Sequence, residues 1–115
     1  MIARLANTIT TFPHLIAAWI ALTNGFSVYA AIITAATLAS VLMHVTDACV
    51  CLDYALAILW SMADAWQLRE SIAWNALVFF LHFEMEHHWQ WHLVSATKAV
   101  YVAWMICLQP LTGRP

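Results

Sequence analysis

Charge is what this sequence most lacks. Asp, Glu, Lys and Arg make up 9% of it, against about a quarter of an ordinary soluble domain. None occurs from Leu5 to Thr46, from Ser71 to Phe83 or from Ala99 to Gly113. So few ionic groups cannot solvate a globule, which excludes the water-soluble class and leaves a membrane protein. Glycine and proline are scarce as well, at 2 and 3 residues, while 64% of the chain is hydrophobic, with Ala, Leu, Ile, Trp and Met prominent. That composition favours membrane helices over a barrel of alternating strands. The basic residues Arg4, Arg69, Lys98 and Arg114 are scattered and make no basic face, so nucleic acid is excluded as a partner. The 3 cysteines, Cys49, Cys51 and Cys107, are odd in number and form neither a disulfide framework nor a zinc-ribbon spacing. They read as small apolar residues or free thiols. The first apolar run contains Pro13 and His14 and lacks a small-residue cleavage pattern, so it reads as a retained helix.

A crossing helix needs ~20 apolar residues. The chain, 1–115, therefore has room for one all-α domain, a polytopic membrane helix bundle of four to five transmembrane helices. The first covers about Leu5 to Leu22, with Pro13 either kinking it or marking its true start. Thr23-Asn24-Gly25 is a turn, and a second helix runs from about Phe26 to Thr46. Asp47 reads as a possible N-cap for a third helix from near Cys49 to Trp66. Ser71 reads as the cap of a short fourth run, Ile72 to Phe83, whose emergence Glu84 and Glu86 mark. The last helix runs from about His87 to Leu108 and is closed by Gln109-Pro110.

Chemistry-bearing residues fall at helical spacing. Ser40 and His44 share one face of the second helix, and His88 and His92 share one face of the last. If the helices alternate in direction, the end of the second, the start of the third and the start of the last lie on one side of the membrane. Ser40, His44, Asp53, His88 and His92 then converge at one depth. Three neutral imidazoles, His44, His88 and His92, make a tris-histidine zinc (Zn2+) centre with one position left for water, whose pKa zinc lowers to about 7. Asp53 would accept the water's proton, and Ser40 would donate a hydrogen bond to the water or to an oxyanion. Within reach of a bilayer, that chemistry is hydrolysis of a lipid amide or ester. Glu84, four residues before His88, is either an orienting partner of that ring or an acid at an emerging helix end. Lys98 reads as snorkelling to a surface or pairing with Asp64. His14, His82 and His87 read as interfacial or surface groups, with an outer role at the site open to His82. The tryptophans read as interfacial belts and packing, with Trp89 and Trp91 near the surface.

The run Ser40-Val-Leu-Met-His44, the run Leu52-Asp53-Tyr54 with the following Ala-Leu-Ala-Ile-Leu-Trp, and the run His88-Trp-Gln-Trp-His92-Leu-Val-Ser-Ala together resemble the CREST superfamily. That group includes alkaline ceramidases, progestin and adiponectin receptors, GPI-remodelling phospholipases, SID-type proteins and myomaker-like proteins. The resemblance covers roughly residues 38–60 and 86–96. It implies His44, His88 and His92 as zinc ligands, with Ser40 and Asp53 at the metal-bound water. Members of the superfamily have seven membrane helices, so two or three between the third and the last have no counterpart here. A shortened relative, a fragment and a designed miniature are all compatible with that difference. The gap from His44 to Asp53 is also short, which leaves Asp47 as a rival for the role of Asp53.

Three readings of function follow. The first is a zinc-dependent, ceramidase-like integral-membrane lipid hydrolase with a membrane lipid as substrate. The second is a zinc-stabilised membrane module without turnover, receptor- or fusion-related, in which the metal staples the second, third and last helices. The third is a bis-histidine haem bundle, which would need neither Ser40 nor Asp53. Self-association into a homo-oligomer would complete the walls of a polar cavity. The expected location is a multi-pass position in the endoplasmic reticulum, Golgi or plasma membrane. Arg4 on one side, with Arg69 and Arg114 on the other, tips the C-terminus toward the cytoplasm.

Overall fold

A computed structural model describes residues 2–48 and 50–109, and every regular element among them is an α-helix. The order is α1 (Ile2–Thr11), α2 (His14–Thr23), α3 (Ser27–Thr46), α4 (Val50–Gln67), α5 (Ser71–Glu84) and α6 (His88–Leu108). Ile2–Thr23, Ser27–Thr46 and His88–Leu108 are long and apolar enough to cross a membrane. α4 carries Asp53 and Asp64. α5 has 14 residues, a length of ~21 Å against a hydrocarbon core of ~30 Å. Cys49 and the Pro110–Pro115 tail, Arg114 included, lie outside the described residues.

Pro13 bends the first span without ending it. Its backbone stays right-handed helical, at φ −55° and ψ −21°, but its ring removes one amide donor from the ladder. The Leu15 amide turns to the Phe12 carbonyl at 2.9 Å, and the carbonyl of Thr11 accepts instead from His14 Nδ1 at 2.8 Å. His14 is therefore a buried residue that heals the break. It is not the interfacial group expected from the sequence, because a freed carbonyl in an apolar interior demands a donor.

α1 and α2 run up, α3 returns, and α4, α5 and α6 continue the alternation. Arg4 at the start of α1 meets the end of α3, where its guanidinium donates to the Asp47 carboxylate at 2.6 Å and to the Val45 carbonyl at 3.3 Å. Asp47 corrects the sequence expectation. It closes α3 in the left-handed region at φ 58°, its amide donating to the Met43 carbonyl and its carboxylate held by Arg4. Asp and Asn visit that conformation more readily than other side chains. Ser71 likewise is the first residue of α5, with Glu70 in the cap position, and its hydroxyl is buried without a hydrogen-bond partner among the described residues.

Small residues let the helices approach closely. Ala17, Ala18, Ala21, Ala30, Ala36, Ala99 and Ala103 are buried with Ile33, Val102 and Ile106 where α2, α3 and α6 meet, as expected where packing rather than water exclusion drives association. A second fastening lies farther along the bundle from the paired histidines. Asp64 is fully buried and accepts from the Tyr29 hydroxyl, from Asn75 Nδ2 at 3.1 Å and from Lys98 Nζ at 3.5 Å. Lys98 also lies 5.1 Å from the centre of the Trp60 ring. Of the two accounts of Lys98, the structure shows the pairing, and one carboxylate ties α3, α4, α5 and α6 together.

Removing one partner of a buried ion pair strands the other charge, at a cost of ~3–5 kcal/mol. Asp64→Leu is expected to lower the thermal midpoint in detergent sharply, and Asp64→Leu combined with Lys98→Met to recover most of the loss. Equal melting of the single and double variants would show that the stranded lysine is not the cause.

Candidate metal centre

The polar end of the bundle is built where α3 finishes and α6 begins. An extended break at Met85 and His87 separates α5 from α6 and starts α6 at His88, so His88 and His92 stand one turn apart on a single helix. His44, in the last turn of α3, faces both. One ligand nitrogen from each of His44, His88 and His92 lies within 4.8 Å of the others. His44 Nε2 and His92 Nε2 are 3.2 Å apart. The ring centres of His44 are 5.1 Å from His88 and 4.8 Å from His92, and those of His88 and His92 are 4.3 Å apart. His44 and His92 are buried and His88 half-buried.

This donor set fits a metal ion. Nitrogens bound to one zinc at 2.0–2.1 Å in tetrahedral geometry stand roughly 3.3 Å from each other, and the closest pair here is at 3.2 Å. Three neutral imidazoles and no other ligating side chain make up the group, which is the borderline-soft set that suits zinc, copper, iron or nickel. The same 3.2 Å gap also fits a hydrogen bond from one ring to the other. Metal content decides between the two.

The structure places the remaining candidates as follows. Ser40 and Asp53 are half-buried on the packed helices α3 and α4, with the Ser40 hydroxyl beside the Asp53 carboxylate. Ser40 lies one turn from His44 on α3. Asp47, the rival, is exposed and engaged with Arg4. Glu84 is exposed at the end of α5, and the break after it removes the helical spacing that would have brought it under His88. His82 packs edge-on against His88 at 5.3 Å and against Trp91 at 4.8 Å. It forms an apolar wall of the site together with Trp91, which stacks on His88 at 5.4 Å and donates its indole N–H to the Val78 carbonyl at 2.7 Å. His87 is exposed and stacks on Trp89.

Sequence reasoning missed the residues behind His92. Thr10 Oγ1 lies 3.0 Å and Thr11 Oγ1 3.3 Å from its Nδ1. His14 stands edge-on to the His92 ring at 6.3 Å and to Trp60 at 5.7 Å, and its Nε2 accepts from the Ser95 hydroxyl at 3.0 Å. A signal existed. Thr10 and His14 are four residues apart inside a charge-free run, a spacing that places both on one face, and polar groups on one face of a membrane helix must find partners in the bundle.

No family model, curated protein or solved structure compared with the chain matches it.

Purified wild type in detergent, after zinc loading and removal of free ion, is expected to carry close to one zinc per chain. His44→Ala and His88→Ala should lose it, whereas Asp53→Ala should retain it. Zinc absent from wild type, or retained in both histidine variants, would refute the metal centre.

Proposed function

We propose that the chain is a zinc-dependent hydrolase of amide or ester bonds in membrane lipids, with His44, His88 and His92 holding the metal. The observation that carries this reading is the convergence of three imidazoles from two helices at one end of an apolar bundle. A zinc ion held there supplies Lewis acidity and an acidified water.

The chain's own residues contribute the rest. In this reading the Asp53 carboxylate is the proton acceptor, with the Ser40 hydroxyl of the facing helix beside it. The stacked ring of Trp91 and the edge-on ring of His82 cover one side of His88. An apolar groove along α6, lined by Pro13, Ile16, Leu93, Val100, Tyr101 and Trp104, begins one residue from His92 and could seat an acyl chain. The resemblance of the Ser40–His44, Leu52–Tyr54 and His88–Ala96 runs to the CREST superfamily supports a lipid substrate of the ceramide type.

The second reading, a zinc-stapled module without turnover, draws on the same triad and is separated from the first by activity alone. Haem is not favoured, since nitrogens 3.2 Å apart leave no space for a porphyrin between His44 and His92.

Zinc-loaded protein in lipid vesicles is expected to release fatty acid from ceramide, with Asp53→Asn reducing the rate by about 10²–10⁴-fold while zinc content is unchanged. Stoichiometric zinc and a metal-dependent rise in melting temperature without any release, from ceramide or from ester lipids, would favour the structural module instead.

A further inference from the structure

We infer that Thr10 and Thr11 are positioning residues for the metal site: their paired hydroxyls hold the proton of His92 on Nδ1 and so keep its Nε2 lone pair turned toward His44. This rests on the metal-site reading and adds α1 to the elements that build the site.

Each threonine hydroxyl has a single proton to give. Thr10 Oγ1 lies 2.7 Å from the Ala6 carbonyl, and Thr11 Oγ1 lies 2.7 Å from the Asn7 carbonyl. An oxygen–oxygen separation of that length is the usual one for O–H···O and is repulsive without a proton between the atoms. A carbonyl carries none, so each hydroxyl spends its single proton on its own helix. Both hydroxyl oxygens then face His92 Nδ1 as acceptors only, at 3.0 and 3.3 Å. The imidazole must supply the shared hydrogen. A neutral ring with its proton on Nδ1 has its lone pair on Nε2, the atom that points at His44 Nε2 from 3.2 Å.

The opposite tautomer would place an N–H in the position a metal must take. It would also leave one threonine oxygen against a carbonyl with no hydrogen between them. In hydrocarbon no water can relieve either fault. Metal-bound histidines commonly donate their other ring N–H to an oxygen for this reason, and loss of that oxygen typically costs 10–100-fold in affinity. Two adjacent hydroxyls sharing one N–H also fix the ring plane, since the His92 ring cannot rotate about its long axis without leaving one of them.

The test uses the full chain labelled with ¹⁵N-histidine in detergent micelles, with the variants Thr10→Val/Thr11→Val and Thr10→Ser/Thr11→Ser. Valine keeps the shape and the apolar character, so the helical circular dichroism should persist. Metal-free wild type is expected to show the His92 ring protonated at Nδ1. Zinc affinity, measured by chelator competition, should fall about 10–100-fold in the valine pair and return toward wild type in the serine pair, which restores the hydroxyls.

His92 protonated at Nε2 in metal-free wild type, or undiminished zinc affinity in the valine pair, would overturn the inference while leaving the metal site standing. Failure of wild type to take up zinc would defeat the metal site itself, and this role with it. A serine pair as weak as the valine pair would mean that packing, not the hydroxyls, is what the site needs.

Discussion

The polar end of this protein depends on one ring being held from two sides. His92 of α6 has the hydroxyls of α1 behind it and His44 of α3 before it. In water such a ring could exchange any of these partners for solvent. In a bundle whose helices expose leucine, isoleucine, phenylalanine and tryptophan outward, it cannot. Most buried polar side chains among the described residues are therefore paired within the bundle, and the pairing decides which helices become neighbours. Arg4 at Asp47 and His14 at Ser95 follow the same rule, each joining elements far apart in the chain. The exposed pair Arg4–Asp47 contributes little energy by itself, but it marks where α1 starts relative to the end of α3 and so sets the depth at which Thr10 meets His92.

Much of this was legible in the sequence because the signals were physical absences. Charge-free runs gave the helices within a few residues of their observed ends, and alternation of direction brought Ser40, Asp53 and the three histidines toward one end. The i, i+4 spacing of His88 and His92 survives because the break at Met85–His87 falls before the pair. For Glu84 and His88 the same spacing is cut by that break, and no periodicity in the sequence announced it. Asp47 shows another limit. An aspartate between two helices can cap the second or close the first, and only a backbone angle of φ 58° separates the two.

Thr10, Thr11 and His14 carried only a faint signal, for a different reason. A threonine in an apolar helix bonds its own preceding turn whether or not it has a further partner, so its identity says nothing about what lies opposite. The structure assigns that second role through the bend at Pro13, which turns α1 across the face of α6. Lys98 was readable as a problem with two solutions, snorkelling to a surface or pairing with Asp64, and the buried carboxylate of Asp64 is the one that reaches it.

The two polar clusters lie at different levels of one apolar bundle, and they rest on different chemistry. The Asp64 hub is made wholly of side chains, while the histidine end has a gap a metal could occupy. Such a bundle has a graded rather than a uniform resistance to opening. With the histidine end slack, helix ends there would exchange their amide hydrogens while α3, α4 and α6 stay clamped around Asp64. The protein would thus stay fastened about Asp64 while its histidine end opens, a peg held along its length whose one end can be undone.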